Sequence, residues 1–139
     1  SGHSSGGYLA ASVGLMTRFE PPDGDHRISS RANAMILLAP FMPNPGRNPA
    51  LLPEGALIDE FLPESYISAS SPPALWIHGD ADTVALPEVS AKLHTAFQEV
   101  GADSRLVLIK DSGHAFRGED SARVKELMIQ FIVDLGYGN

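Results

Sequence analysis

Three residues in this sequence could together activate a hydroxyl group: Ser4, Asp82 and His114. A serine hydroxyl is a weak nucleophile at neutral pH and needs a base that takes its proton. A neutral imidazole can act as that base, and a carboxylate fixes the imidazole tautomer and stabilises the imidazolium that forms. The three residues are therefore a candidate nucleophile, acid and base for acyl transfer, provided that the fold brings them together.

Ser4 lies in the stretch Gly2-His3-Ser4-Ser5-Gly6-Gly7, which reads G-x-S-x-G-G. This spacing is typical of a nucleophile elbow, a sharp strand-to-helix turn that exposes a strained serine. Glycines two residues before and after the serine keep side chains away from the close-packed strand and helix. The alternative is that Ser4 simply caps the helix that follows, since serine is favoured at that position.

The candidate acid and base each follow an apolar run. Asp82 lies in the segment His78–Val84 and His114 lies in the segment Asp111–Phe116. Each has a structural alternative, because Asp82 could cap the next helix or brace a turn and His114 could be a buried structural histidine.

Other polar residues of the first segment are open to different interpretations. We expect His78 to be a turn residue at the strand end and Asp80 to hold the loop through backbone hydrogen bonds. The pattern His78-x-Asp80-x-Asp82 could also be a metal site, a reading that explains less of the chain than an activated serine does. Trp76 and Phe116 are expected in the core or in a pocket wall.

Three short apolar runs predict strands, and none of them alternates with polar residues: Met35–Ala39, Ala74–Ile77 and Leu106–Ile109. Uninterrupted apolar strands are typical of parallel sheets covered on both faces. These runs alternate along the chain with three helical patterns, at Ser5–Arg18, Glu88–Val100 and Glu119–Leu135. Such an alternation is typical of an α/β fold. Because open α/β sheets place their sites at the carboxyl ends of the strands, the three candidate residues can converge at one edge.

Residues 42–73 are rich in proline and interrupt this alternation. A short helix is predicted near Gly55–Phe61, and the whole excursion could form a small lid, one wall of a pocket or a surface loop without a role.

Composition narrows the class of protein. The chain has 139 residues, 43% hydrophobic and 19% charged, with a formal net charge of −7 and no cysteine. So acidic a surface is repelled by nucleic acid and by anionic lipid, and we expect neither as a partner. Disulfides and thiol nucleophiles are excluded, no run is long enough for a membrane span, and the compartment is left undetermined.

With these residues in place, the sequence resembles the C-terminal half of an α/β-hydrolase serine esterase. The resemblance rests on the elbow, on Pro72-Pro73-Ala74-Leu75-Trp76-Ile77-His78-Gly79-Asp80-Ala81-Asp82-Thr83-Val84, on Ser112-Gly113-His114-Ala115-Phe116, and on Asn33–Pro40. The most similar branch holds acetyl- and feruloyl-esterase-like enzymes, lipase-like carboxylesterases and arylformamidases. The order Ser, Asp, His is the order of that fold.

The resemblance implies Ser4 as nucleophile, Asp82 rather than Asp80 as the acid, and His114 as base. It implies cleavage of a small-molecule carboxylic ester through an acyl-enzyme, with no metal or organic cofactor. An amide hydrolase of arylformamidase or peptidase type and a non-catalytic binding protein on the same fold are the alternatives. The backbone N–H of Ser5 would supply one oxyanion-hole donor.

A second donor and the strands before the elbow are expected from an N-terminal half, on the same or another chain. Residues 1–139 would then be the C-terminal part of one α/β-hydrolase domain and contain three of its parallel strands, and an oligomer is compatible with the sequence. Without that half we expect an open apolar sheet edge, poor solubility and an inactive fragment.

Overall fold

The sheet that positions the site is fully parallel. The protein is described by a computed structural model in residues 1–16, 31–42 and 58–138. Its four strands lie side by side in chain order: β1 (Gly2–His3), β2 (Met35–Leu38), β3 (Ala74–Gly79) and β4 (Ser104–Ile109). The sequence predicts three of them. The strand before the elbow is expected to lie outside these residues, whereas its last two residues, Gly2 and His3, are present and pair with Leu37 and Leu38 of β2.

Among the described residues, three α-helices flank the sheet: α1 (Ser5–Leu15), α2 (Pro87–Glu99) and α3 (Glu119–Asp134). Two 3-10 turns, Ile58–Phe61 and Pro63–Tyr66, precede β3. The predicted bounds of α2 and α3 hold to within one residue. The predicted helix Ser5–Arg18 ends earlier, at Leu15, because Met16 leaves the helical conformation with φ −90° and ψ 66°. The first part of the helix predicted at Gly55–Phe61 and most of the proline-rich excursion lie outside the described residues.

Each face of the sheet is buried under helices, as its uninterrupted apolar strands predict. On one face, α1 and α2 pack over Leu37 and Trp76, and Phe97 of α2 meets the Trp76 ring edge-on at 5.7 Å between centroids. On the other face, α3 packs over alternate strand residues through Val124 and Phe131. All strands run in one direction, so all four carboxyl ends lie at the same edge of the sheet.

The outer side of α1 is apolar and uncovered. Leu9 and Val13 are 63% and 62% exposed, whereas the small residues of α1 face the sheet. Gly14 allows this close approach, because a Cβ there would overlap the Met35 side chain. A groove of about 450 Å³ runs along this side of α1 and is bounded also by Ala32 and Met35. Within the described ranges, no helix combines the length and the apolar character needed to cross a bilayer.

Candidate active site

Ser4 occupies the turn between β1 and α1 in a strained backbone conformation. Its φ of 56° and ψ of −125° lie in a region that L-residues rarely adopt, at a cost of about 1–3 kcal/mol. The residue before α3 has nearly the same angles, φ 53° and ψ −124°, and it is Gly118. The Ser4 side chain makes no capping hydrogen bond to α1, so the interpretation of Ser4 as a simple helix cap is wrong.

The glycines of the elbow are needed for different reasons. A Cβ on Gly2 would overlap the backbone of Gly6, and a Cβ on Gly7 would lie 2.7 Å from Cβ of Pro40. A Cβ on Gly6 would meet nothing within 4 Å among the described residues. Close packing therefore explains Gly2 and Gly7, while the expectation that Gly6 also avoids a clash finds no contact in this part of the chain.

The three candidate residues form one continuous chain of hydrogen bonds. Nε2 of His114 lies 2.9 Å from Oγ of Ser4, which is 110 positions away in sequence. Nδ1 of His114 lies 2.7 Å from Oδ2 of Asp82. A carboxylate only accepts, so Nδ1 carries the proton and donates it to Asp82. Nε2 of the neutral ring is then left to accept the Ser4 hydroxyl proton, as a general base must.

Hydrogen bonds to both carboxylate oxygens hold Asp82 in place. Its side chain is buried, and Oδ1 accepts hydrogen bonds from the backbone N–H groups of Val84 at 2.8 Å and Ala85 at 3.0 Å. Burial by itself raises the pKa of Asp82, but the hydrogen bonds from His114, Val84 and Ala85 outweigh it and lower the pKa below 3.8. Asp82 is therefore ionised throughout the neutral range.

Asp80 braces the loop that carries His114. Its Oδ1 accepts the backbone N–H of Asp111 at 2.6 Å, and the neighbouring N–H of Ala81 donates to the carbonyl of Ser112 at 3.0 Å. The expected structural role of Asp80 agrees with these contacts. The pattern His78-x-Asp80-x-Asp82 does not form a metal site, because no three His, Asp or Glu residues within the described ranges are grouped to hold an ion.

His78 is one of two further histidines at the site. The sequence predicts a turn residue, but His78 belongs to β3 and is fully buried. Its Nε2 lies 2.8 Å from the carbonyl oxygen of Ala85 and 3.2 Å from Oδ2 of Asp82, and its Nδ1 lies 2.8 Å from Oγ of Ser90. The signal that could have revealed it is its i, i+4 spacing from Asp82 at the end of a buried strand.

His3 contacts the base from the other side. Its Nε2 donates to the carbonyl oxygen of His114 at 2.7 Å, and the two rings lie 4.9 Å apart between centroids. Phe116 meets the His3 ring edge-on at 6.3 Å and packs against the core under α3, in agreement with the expected pocket-wall or core position. Trp76 is fully buried in the core.

Ser5, the first residue of α1, directly follows the candidate nucleophile. The N–H groups of the first helical turn have no carbonyl partner within their own helix, and the helix dipole adds partial positive charge there. The Ser5 N–H is thus a candidate donor to a negative oxygen beside Ser4, as the sequence predicts.

The parallel sheet, the strained serine turn and the Ser, Asp, His order define the C-terminal part of an α/β-hydrolase domain. The chain belongs to the prolyl oligopeptidase family, whose sequence model matches residues 40–136. The match includes Asp82 and His114, whereas Ser4 precedes it.

Solved structures give the same class. A thermophilic esterase from the planctomycete Thermogutta terrifontis, solved with propionate bound, aligns with 98% of this chain at 30% identity and a TM-score of 0.80. Esterase 2 of the same organism, phosphonylated by sarin, aligns with 98% at 29% identity and a TM-score of 0.83. The protein YfhR of Escherichia coli is 40% identical over 83 residues, 57% of this chain and 28% of its own length. The chain spans 55% and 56% of the two esterase chains.

Proposed function

We propose that this chain is part of a serine hydrolase that cleaves carboxylic esters through an acyl-enzyme. The observation that carries the proposal is the hydrogen-bonded series from Ser4 Oγ to His114 Nε2 and from His114 Nδ1 to Asp82 Oδ2. In this proposal Ser4 is the nucleophile, His114 the general base and acid, and Asp82 the residue that orients the ring and stabilises the imidazolium.

The reaction divides into two steps. In the first, Ser4 Oγ attacks the acyl carbon while its proton passes to Nε2 of His114. The tetrahedral oxyanion is bound by the Ser5 N–H, and its collapse releases the alcohol, which takes the proton from His114. In the second step, water gives a proton to His114 and attacks the acyl-Ser4 carbonyl. Collapse of this intermediate releases the acid and returns the proton to Ser4.

Esters are favoured as substrates by the structural relatives. Both solved relatives are esterases, one with propionate bound and one phosphonylated by sarin, and they cover nearly all of this chain at 29–30% identity. A short-chain acid and an organophosphonate are both compatible with a half-buried elbow serine beside a histidine. We therefore place a small-molecule ester ahead of other substrates.

Amide cleavage is the second candidate, because the chain belongs to the prolyl oligopeptidase family. The same three residues serve either leaving group. A non-catalytic binding protein is less well supported, because such a protein has no need of the strain at Ser4 or of an ordered Ser4–His114–Asp82 series.

The remaining parts of the site are proposed to come from chain outside these residues. A second oxyanion donor is expected from a loop after an earlier strand, and further strands would cover the groove along α1. We expect the 139 residues alone to be poorly soluble and inactive. Soluble, monomeric and fully active material made from them alone would contradict this part of the proposal.

The test uses the longest natural chain that carries these residues. We expect it to hydrolyse p-nitrophenyl acetate, and Ser4→Ala to lose that activity. p-Nitroacetanilide has the same acyl group and an amide in place of the ester, so the ratio of the two rates separates an esterase from an amidase. Equal turnover by the parent and by Ser4→Ala would reject the nucleophile assignment.

Labelling identifies the nucleophile independently of turnover. An organophosphonate is expected to add its phosphonyl group to Ser4 of the parent, as peptide mass spectrometry would show. The Ser5→Ala variant is the matched control, because it removes the neighbouring hydroxyl and keeps the backbone N–H. Labelling that persists in Ser4→Ala would contradict the proposal.

A further inference from the structure

The acid of the site contacts two histidines. Oδ2 of Asp82 lies 2.7 Å from Nδ1 of His114 and 3.2 Å from Nε2 of His78. Building on the proposed function, we propose that His78 is a positioning residue that acts on His114 through Asp82. Ser90, His78, Asp82, His114 and Ser4 would then form one connected series.

The hydrogen-bond partners fix which nitrogen of His78 carries the proton. The carbonyl oxygen of Ala85, 2.8 Å from Nε2, can only accept. Nε2 therefore carries a hydrogen, which it shares between Ala85 and Oδ2 of Asp82. In the neutral ring Nδ1 has a lone pair, so the Ser90 hydroxyl, at 2.8 Å, donates to it. Ser90 is fully buried and holds the orientation of the His78 ring, while the Ala85 carbonyl determines the tautomer.

The contact with Asp82 affects the base in two ways. The His78 N–H keeps Oδ2 from rotating away from His114, while Val84 and Ala85 hold Oδ1. The same N–H also draws negative charge away from the side of Oδ2 that faces His114. Because His78 and Asp82 are buried and His114 is half-buried, the electrostatic effect of His78 on His114 is weakly screened by solvent.

The other titratable side chains described near the site do not contact the Asp82 carboxylate. His3 contacts the carbonyl and the ring face of His114 rather than its nitrogens, and Asp80 is engaged by the backbone N–H of Asp111. His78 is thus the one titratable side chain in the described ranges, besides His114, that donates to the Asp82 carboxylate.

The test compares His78→Leu, which removes the donor at similar volume, with His78→Gln, which keeps an N–H donor. Both are made in the longest natural chain and assayed with p-nitrophenyl acetate over a range of pH. For His78→Leu we expect kcat to fall on the order of tenfold to a hundredfold with KM unchanged. The acid limb of kcat/KM should move to higher pH, because the charge left on Asp82 stabilises the His114 imidazolium. His78→Gln should recover most of both effects.

His94 provides a matched control. Its Nδ1 lies 2.8 Å from Oγ of Ser104, so it is a second histidine–serine pair between α2 and the sheet, without contact to Asp82. We expect His94→Leu to leave kcat and the acid limb unchanged. An equal fall of kcat in His94→Leu and His78→Leu would overturn the inference and assign both histidines a merely structural role.

Two further measurements keep the inference testable. Should His78→Leu fail to fold, Ser90→Ala is expected to give a smaller loss of kcat with the same pH displacement, and a parent-like profile would reject the inference. The NMR resonance of the His114 Nδ1–H reports on the contact without turnover and should shift in His78→Gln and Ser90→Ala. If Ser4→Ala lost activity while every His78 and Ser90 variant behaved like the parent, the role of His78 would be rejected and the proposed function would stand. Full activity in Ser4→Ala would reject the proposed function, and the NMR shift would still decide the role of His78.

Discussion

Asp82→Asn is the substitution that tests the site most directly, because the structure dictates how the new amide must orient. Oδ1 of Asp82 accepts two backbone N–H groups, from Val84 at 2.8 Å and Ala85 at 3.0 Å. Only the amide oxygen of Asn can accept them, so the NH2 group must take the place of Oδ2. That position lies 2.7 Å from Nδ1 of His114.

The amide then reverses the hydrogen bond to the base. Nδ1 of His114 must accept from the NH2 group, which moves the ring proton to Nε2. A protonated Nε2 donates to Ser4 Oγ, 2.9 Å away, and cannot take its proton. The same change of tautomer in other serine hydrolases lowers kcat by about 10⁴-fold, and we expect a similar loss here, about 5 kcal/mol in activation free energy.

The assay is kcat and KM for p-nitrophenyl acetate, with Asp80→Asn as the matched control. Asp80 is a nearby carboxylate, and the hydrogen bond that its side chain accepts from the N–H of Asp111 at 2.6 Å is equally well accepted by an amide oxygen. We expect Asp80→Asn to keep kcat within about threefold of the parent, since a neutral acceptor replaces a charged one. A loss below tenfold in Asp82→Asn, or an equal loss in both variants, would refute the reasoning from amide orientation.

Three further predictions concern stability, measured by urea unfolding. Ser4→Gly should be about 1–2 kcal/mol more stable than Ser4→Ala, because both lack the hydroxyl and glycine alone accepts φ 56° without strain; equal stabilities would contradict the strain. Gly79→Ala should cost about 1–3 kcal/mol of stability, because its Cβ would overlap the backbone of Ser112. Gly113→Ala should cost under about 0.5 kcal/mol, because its Cβ would meet no atom within 4 Å in the part of the chain that the structure describes. Because the pKa of Asp82 is lower in the folded protein than its unfolded value near 3.8, ionised Asp82 stabilises the fold at higher pH, and this stability is lost as the pH falls through the folded pKa. The parent should therefore lose more stability in acid than Asp82→Asn. Parallel plots of unfolding free energy against pH for the two proteins would disprove this.

Strands β2 to β4 and the last two helices were predictable because their sequence patterns follow from burial alone. Met35–Leu38 and Ala74–Gly79 are apolar without alternation, and the structure buries them between helices on both faces. The stripe of Leu9 and Val13 on α1 follows the same logic but is exposed, because α1 turns its glycine and alanine face to the sheet. Small residues carry little hydrophobic signal, so apolar periodicity predicts the helix but does not identify the face of α1 that is buried.

The partners of the site were only partly predictable. Ser4, Asp82 and His114 could be predicted from their residue types and their positions after strands. In the structure His114 lies within hydrogen-bond distance of both Ser4 and Asp82. For His78 the sequence offers only its i, i+4 spacing from Asp82, and His3 has no comparable signal, because the contacts of both residues depend on tertiary geometry. The Ala85 carbonyl reaches His78 through a turn in the chain, and the His114 carbonyl reaches His3 across 111 positions.

The hydrogen-bond geometry of the site depends on the register of the sheet. Ser4 is anchored to the end of β2, where its N–H donates to Leu38 at 3.0 Å and its carbonyl accepts from Phe41 at 3.0 Å. The loop of His114 is anchored to the end of β3, where the N–H of Asp80 donates to Ile109 at 3.1 Å. A slip of one residue along a strand moves an anchor by about 3.3 Å, which exceeds the tolerance of any hydrogen bond in the series. Correct pairing of β1 through β4 is therefore the condition under which a serine and a histidine 110 positions apart can share a proton.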